Sequence, residues 1–292
     1  MKIYLARRRG FCPGVKRSLR LAKEARTQTA EPINILNEII HNASVVNELQ
    51  GLGMPSVKKI DDVKTGTLII SAHGVTPQEL DYAKAKGLNV IDTTCPLVKY
   101  IHRTAKDYIA KDYIVVLFGD PGHDEVKGIV GIAPDSIWVV DQIEDINKLP
   151  EFKKSVAFIS QSTRSLDDFQ QATEKMKNRF PSIMVKNTIC KPSMDRQKSI
   201  RQLAPLVELV IVVGSENSAN SQRLASIAKS LGTQSYLIDN AGEVKAEWFD
   251  GIEKIGLTAG ASTPDYLVDE VMKKLNEIAL QKQQIAEFEE AF

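Results

Sequence analysis

The chain is organised around the eight residues Asn89-Val-Ile-Asp-Thr-Thr-Cys95-Pro96. A β-branched run ends there in a small polar pair, a cysteine follows, and the proline opens a helical pattern. The other two cysteines, Cys12 and Cys190, also lie between a predicted strand and a predicted helix. One such cysteine in each third of the chain predicts three similar units that meet at one metal site.

Composition and charge narrow the class of protein. The 292 residues are 43% hydrophobic and 26% charged, with a net charge of +1, which is typical of a soluble globular protein of two or three domains. Nucleic-acid binding requires a basic excess that this chain lacks. No apolar run approaches the ~18 residues of a membrane helix, and the N-terminal run is too short for a signal peptide. We therefore expect a cytoplasmic protein without membrane contact, whose cysteines are reduced.

The apolar pattern repeats three times with the same order of strands and helices. It predicts lobes at residues 13–95, 96–190 and 191–280, with the strand in residues 1–12 completing the third lobe. Residues 281–292 form an acidic, amphipathic tail that we expect to pack on the surface. Alternation of strands and helices predicts an α/β fold of three small domains with mainly parallel sheets, whose strand ends face a common axis.

Each predicted element has bounds that the structure can test. Strands are predicted at residues 2–6, 33–36, 57–60, 67–71, 90–93, 113–118, 137–140, 156–160, 184–188, 209–213, 236–239 and 254–259. Helices are predicted at residues 15–25, 44–52, 78–86, 97–111, 126 onward, 166–180, 195–206, 223–231 and 266–279.

Polar residues recur in the loops after the first and third strand of each lobe, where α/β folds bind their ligands. Capping of a helix accounts for a serine at such a position, but histidine is not a preferred cap. We therefore expect these side chains to share one site. They are His41, His123, Ser218 and Asn220 after the first strands, and His73, Ser162, Thr163, Ser262 and Thr263 after the third strands.

The residue types in this set predict a particular chemistry. Three thiolates near helix N-termini suit a four-iron cluster and leave one iron without a protein ligand. A metal with an open position is catalytic rather than structural. The imidazole, hydroxyl and amide donors form a cradle for a phosphate or diphosphate. Glu125 is the only carboxylate in the set and is the expected proton donor.

Other interpretations remain open at this point. A non-catalytic zinc sensor or phosphate-binding protein is one of them, although structural zinc sites usually contain a Cys-x-x-Cys pair that this chain lacks. His102 lies inside a predicted helix and is interpreted as structural. Arg7, Arg8 and Arg9 are interpreted as side chains exposed to solvent at an edge of the fold. The alternative interpretation is a docking patch for an acidic electron carrier.

Eight motifs follow one another along nearly the whole chain. They are Gly10-Phe-Cys-Pro-Gly-Val15, Asn37-Glu-Ile-Ile-His-Asn42, Ser71-Ala-His-Gly-Val75, Asp92-Thr-Thr-Cys-Pro-Leu-Val98, Gly122-His-Asp-Glu-Val-Lys-Gly128, Asn187-Thr-Ile-Cys190, Gly214-Ser-Glu-Asn-Ser-Ala-Asn-Ser221 and Thr258-Ala-Gly-Ala-Ser-Thr-Pro264. Through these motifs the chain resembles the LytB-type 4-hydroxy-3-methylbut-2-enyl diphosphate reductases. A quinolinate-synthase-like protein is the second enzyme interpretation, disfavoured because its carboxylate substrates require more arginines than these loops supply.

The resemblance implies a pseudo-three-fold trefoil around one 4Fe-4S cluster, held by Cys12, Cys95 and Cys190 with one open iron site. It implies two-electron reductive dehydroxylation of (E)-4-hydroxy-3-methylbut-2-enyl diphosphate to isopentenyl and dimethylallyl diphosphates, the last step of the non-mevalonate isoprenoid pathway. Reduced ferredoxin or flavodoxin would supply the electrons to a monomeric enzyme. Glu125 would deliver protons, with Thr163 or Ser162 beside the substrate hydroxyl. The diphosphate would be bound at His41, His73, His123, Ser218, Ala219, Asn220 and Ser262.

The chain departs from the family pattern at three places. Ala219 stands where the family often has a second serine, and Ser162-Thr163 stands where it usually has two threonines. Lys191-Pro192-Ser193 replaces the usual small residues after the third cysteine. Arg196-Gln197 still fit the pattern, so we keep Cys190 as a ligand.

Overall fold

The computed structural model describes residues 1–291 as an α/β protein with three parallel sheets, which confirms the predicted fold class. The strands are β1 (Lys2–Ala6), β2 (Ile33–Leu36), β3 (Ser56–Val57), β4 (Thr67–Ile70), β5 (Asn89–Asp92), β6 (Ile114–Phe118), β7 (Ile137–Val140), β8 (Val156–Ser160), β9 (Met184–Val185), β10 (Leu209–Val213), β11 (Gln234–Ile238), β12 (Lys254–Ala259) and β13 (Glu287–Ala291). The α-helices are α1 (Pro13–Gln28), α2 (Ala43–Gly51), α3 (Pro77–Ala85), α4 (Pro96–Ala110), α5 (Asp124–Val130), α6 (Leu166–Arg179), α7 (Lys191–Leu203), α8 (Ala219–Ser230) and α9 (Asp265–Gln281).

The chain forms two compact units, and the larger comprises residues 14–40 and 46–190. It contains two four-stranded parallel sheets, ordered β3-β2-β4-β5 and β7-β6-β8-β9. Strands β6 and β8 are buried along their whole length, because parallel strands covered on both faces are apolar throughout. The apolar side of α4, including Ile101 and Ala105, packs against the second sheet. The repeated strand order places β5 and β9 at matching edges, and a cysteine follows each of them.

The smaller unit comprises residues 1–13, 41–45 and the described chain from Lys191 onward. Its five-stranded parallel sheet has the order β11-β10-β12-β1-β13. Strand β1 pairs with β12 from Lys2 opposite Lys254, the place that β5 and β9 occupy in the other sheets. This is the pairing expected for the N-terminal strand. The division into three lobes with the boundaries given above stays a prediction.

The acidic tail contributes a strand that the sequence analysis did not predict. Strand β13 pairs in parallel with β1, beginning with Lys2 opposite Glu287. Arg9 donates to the carboxylate of Glu290 at 3.0 Å and to the carbonyl of Ala6 at 2.8 Å, so this arginine is engaged by the tail. The strand lacks an apolar signature because four of its five residues are exposed, and backbone pairing rather than burial holds it at the edge of the sheet.

Six strands match their predicted bounds, and the other elements differ mainly at their ends. Of the predicted strand 57–60, only Val57 lies in a strand, and Ile60–Asp62 forms a 3₁₀ turn instead. Strand β9 ends at Val185 rather than at Thr188. Helices α7 and α8 each begin four residues before the predicted start. Within residues 1–291, none of the helices combines the length and the apolar character that crossing a membrane requires.

Candidate active site

The loop that carries Cys95 is held by its own side chains. Asp92 Oδ1 accepts a hydrogen bond from the Thr94 N–H at 2.9 Å. The buried Thr93 hydroxyl donates to the last carbonyl of β4 at 2.6 Å. The Cys95 N–H donates to the Ala72 carbonyl at 3.0 Å. Cys95 is thereby fixed as the residue that caps α4, with its thiol partly exposed.

The loop that carries Cys190 repeats this construction. Asn187 Oδ1 accepts from the Ile189 N–H at 2.9 Å. The Thr188 hydroxyl donates to the last carbonyl of β8. The Cys190 N–H donates to the Ser162 carbonyl at 3.0 Å. Helix α7 begins with the next residue, so the partly exposed Cys190 thiol also precedes a helix N-terminus.

Cys12 has the equivalent backbone anchor in the smaller unit. Its N–H donates to the Ala261 carbonyl at 3.1 Å. Ala261, like Ala72 and Ser162, is the second residue after the third strand of its repeat. Each of the three thiols is partly exposed and is followed directly by a helix that begins at the next residue. The local setting of all three cysteines therefore suits an anionic sulfur ligand.

Glu125 is a buried carboxyl group at the start of α5, with only 2% of its surface exposed. Its carboxylate accepts from the Ser162 N–H at 2.7 Å and from the Ser162 hydroxyl at 2.6 Å. Burial raises the pKa of Glu125, and the two hydrogen bonds from Ser162 oppose that rise. A raised pKa keeps more of this group protonated near neutral pH, as a proton donor requires.

His73 and His123 lie together in the larger unit. Their rings meet edge to face with centroids 5.3 Å apart, and both are partly exposed. His123 caps α5, because its Nδ1 accepts from the Glu125 N–H at 3.1 Å. The proton of the neutral imidazole is then on Nε2, which is a donor suited to an anion. His41 lies in the smaller unit, two residues before the start of α2, and is also partly exposed.

Three polar residues meet at the N-terminus of α8 in the smaller unit. Ser218 caps this helix by accepting from the Ser221 N–H. The Ser262 hydroxyl lies 3.2 Å from the Ser218 hydroxyl. Asn220 is 5% exposed, and its Nδ2 has no hydrogen-bond partner in the described part of the chain. Ala219 adds a partly exposed methyl group at the first position of the helix. A helix N-terminus with these donors is a site for an anion.

Two glycines allow the backbone to approach the N-terminal end of α8 closely. A Cβ atom at Gly260 would lie 2.0 Å from the hydroxyl oxygen of Ser221, and one at Gly214 would lie 2.3 Å from the same atom. Gly214 also has φ of +156°. A larger residue at either position would collide with the Ser221 side chain of α8, so glycine is what lets the loops after β10 and β12 approach this helix closely.

The structure separates the two hydroxyl residues that the sequence could not rank. The Ser162 hydroxyl is bonded to Glu125, whereas the Thr163 hydroxyl is buried without a hydrogen-bond partner. Gln161, which the sequence analysis did not single out, is 1% exposed and accepts from the Asp120 N–H at 3.0 Å. In the sequence, only its position directly before Ser162 indicated that Gln161 could belong to the site.

His102 lies in the middle of α4. A Cβ atom at Gly74 or at Gly128 would lie 3.7 or 3.4 Å from its Cε1 atom, so the ring fills the space between those two glycines. Burial, and then the nearby Lys106, lower the pKa of His102 to about 4. The ring is therefore neutral at pH 7, in keeping with a structural side chain.

Comparison with known proteins gives a consistent result. The family model described as LytB protein matches residues 3–276. The chain is 38% identical to the 4-hydroxy-3-methylbut-2-enyl diphosphate reductase of Tolumonas auensis, over 95% of this chain and 92% of the relative. It is 40% identical to that of Histophilus somni, over 97% and 92%. The solved structure of the E-1-hydroxy-2-methyl-but-2-enyl-4-diphosphate reductase from Plasmodium falciparum is 31% identical, with a TM-score of 0.93 over 99% of this chain and 92% of that chain. With matches of this extent, the chain belongs to the LytB protein family.

Proposed function

We propose that this chain is a 4-hydroxy-3-methylbut-2-enyl diphosphate reductase, the last enzyme of the non-mevalonate isoprenoid pathway. The allylic carbon–oxygen bond breaks, and the hydroxyl leaves as water. Two electrons and two protons are taken up, one proton by the departing oxygen and one by carbon. The new C–H bond forms at either end of the allyl group, giving isopentenyl or dimethylallyl diphosphate. The curated relatives of the same name support this assignment.

The observation that carries the proposal is the position of Ser162. Its carbonyl accepts from the Cys190 N–H, while its own N–H and hydroxyl bind the Glu125 carboxylate. One residue therefore joins a sulfur ligand to the buried acid. A redox site with a proton donor this close is what reductive removal of a hydroxyl group requires.

The three cysteines fit an iron–sulfur cluster, the cofactor for which the LytB family is known. They are partly exposed thiols with matching backbone anchors, each directly before a helix. Cys12, Cys95 and Cys190 would hold one 4Fe-4S cluster with an open iron. That cluster would supply the electrons and a Lewis acid for the substrate oxygen.

We assign the binding of the diphosphate to the hydrogen-bond donors described above. The His123 Nε2–H and the ring of His73 would contact phosphoryl oxygens, as would the unpartnered Nδ2 of Asn220. The positive end of the α8 dipole adds to their attraction for the anion. The same role is proposed for His41, Ser218 and Ser262, and for the backbone at Ala219.

Proton delivery is assigned to Glu125, with Thr163 rather than Ser162 facing the substrate hydroxyl. The Ser162 hydroxyl is already bonded to the acid, while the Thr163 hydroxyl has no hydrogen-bond partner within residues 1–291. Thr163 would orient the departing oxygen, and Glu125 would protonate it. Ferredoxin or flavodoxin as electron donor, a monomeric state and a cytoplasmic location complete the proposal.

The test is an anaerobic assay with the allylic diphosphate and dithionite. The native chain should form both products. Glu125→Gln should keep its iron and its affinity for substrate but lose turnover by roughly 10²–10⁴-fold. Glu174→Gln, at an exposed carboxylate of α6, is the matched control and should be unaffected. Near-normal turnover of Glu125→Gln would exclude this group as the essential proton donor.

A further inference from the structure

Two of the three cysteine loops share the same pair of internal anchors. Three residues before the cysteine, Asp92 and Asn187 each accept a backbone N–H at 2.9 Å. Two residues before it, Thr93 and Thr188 each donate to the last carbonyl of the neighbouring strand. Each loop therefore holds its cysteine with its own side chains.

The Cys12 loop lacks both anchors. Arg9 and Gly10 stand where the other loops have Asp or Asn and then Thr. Gly10 has φ of +72°, and a Cβ atom there would lie 2.4 Å from Asp265 Oδ1. No threonine fits at such a position without displacing Asp265. What this loop shares with the other two is the bond from the cysteine N–H, here to the Ala261 carbonyl.

Arg196 anchors the Cys12 loop at Gly10, the position that corresponds to Thr93 and Thr188 in the other two cysteine loops. Its guanidinium donates to the carbonyl of Gly10, two residues before the cysteine. It also donates to the Pro192 carbonyl at 3.0 Å within α7, and the residue is only 5% exposed. A guanidinium stays charged at all ordinary pH values, so this anchor does not depend on pH.

We propose that Arg196 is the positioning residue of Cys12, replacing the side-chain anchors of the other two cysteine loops. It fixes the Gly10 carbonyl from the first turns of α7, the helix that follows Cys190. The effect that loss of this anchor would have on retention of the cofactor rests on the function proposed above. The anchoring of the loop does not, because the bonds lie within the smaller unit of the protein itself.

Alkylation of the metal-free chain tests the anchor. Iodoacetamide modification of each thiol is followed by mass spectrometry in the native chain and in Arg196→Gln. The variant should alkylate Cys12 roughly tenfold faster, because a buried carbonyl has lost a charged donor. Cys95 and Cys190 serve as internal controls whose rates should not change. Lys198→Gln, at an exposed residue of the same helix, should leave all three rates unchanged. An unchanged Cys12 rate in Arg196→Gln overturns the proposal.

A second variant covers the case in which Arg196→Gln unfolds and all three thiols react faster. Arg196→Lys keeps the charge and a donor, and it should accelerate Cys12 alone by a smaller factor. Equal acceleration of the three thiols in this variant, or none, overturns the proposal. After anaerobic reconstitution, a chelator should remove iron several-fold faster from Arg196→Gln than from the native chain. If the native chain itself holds no iron, the proposed function fails, and the alkylation result still decides the role of Arg196.

Discussion

Ser162 and Thr163 are adjacent residues whose hydroxyl groups have different roles. The Ser162 hydroxyl binds Glu125, and the Thr163 hydroxyl is buried without a partner. The sequence predicted that one of them serves the site but could not say which. The choice depends on how the loop after β8 turns, and that turn is fixed by bonds to Cys190 and Glu125, which are distant in sequence.

Ser162→Ala should shift the pH dependence of turnover. Burial raises the pKa of Glu125, and the hydrogen bonds from Ser162 lower it. Removing the hydroxyl donor destabilises the carboxylate, so the pKa rises further. A general acid works in its protonated form, so the loss of kcat on raising the pH should move to higher pH. A pH profile of kcat measures this directly.

Thr163→Val is the matched control for that experiment. It removes a hydroxyl group that makes no bond to Glu125, so kcat should fall while the alkaline limb stays where it is in the native chain. An alkaline limb that is the same in Ser162→Ala and in the native chain would mean that Glu125 does not govern it.

The cysteine loops illustrate how far the sequence determines single elements. The position of each cysteine between a strand and a helix was predictable, because β-branched runs and prolines mark those junctions. The side-chain bonds inside the loops were not, because a threonine in a predicted strand has no apparent hydrogen-bonding role. The predicted strand through Thr188 was wrong for this reason. Thr188 bonds to the neighbouring strand with its side chain and lies outside the ladder.

Thr93→Val should destabilise the protein by about 1–3 kcal/mol, because it leaves the buried Ser18 hydroxyl without the Thr93 hydroxyl and removes one of the two hydrogen bonds from Thr93 to the last β4 carbonyl. The Thr93 hydroxyl lies 2.6 Å from each of these atoms. Urea unfolding at constant pH measures the difference. Thr104→Val in α4 is the control, because its hydroxyl bonds only to the Tyr100 carbonyl of the same helix. An equal loss of stability in the two variants would contradict the buried anchor.

The sequence explains the smaller unit less completely than the larger one. The alternation of strands and helices predicted its α/β class and a place for β1. The five-stranded order was not predictable, because β13 shows no apolar alternation and pairs only along its backbone. The position of Arg196 was also beyond the sequence, since Gly10 lies far from it in the chain.

Removing β13 should lower the thermal stability of the whole molecule. A chain that ends at Ala286 loses the pairing with β1 and the carboxylate partner of Arg9, and we expect Tm to fall by about 2–4 °C for each kcal/mol of stability lost. Scanning calorimetry measures the change. The double substitution Glu289→Gln and Glu290→Gln is the control, because it removes charge and keeps the backbone pairing. An unchanged Tm in the truncated chain would mean that β13 adds nothing to the sheet.

The pairing of β1 with β12 has a consequence for biosynthesis. Lys2 is opposite Lys254, so β1 leaves the ribosome about 250 residues before the strand that it needs. At ordinary elongation rates that interval is on the order of 10–50 s. During this time Ile3 and Leu5, which are buried in the finished sheet, have no native neighbours in the nascent chain. The Cys12 loop also lacks its native partners during this time, because Ala261 and Arg196 are synthesised much later in the chain. The Cys12 loop can therefore reach its native anchors only after most of the chain has been synthesised, and until then the N-terminal segment exposes apolar side chains of the kind that chaperones bind.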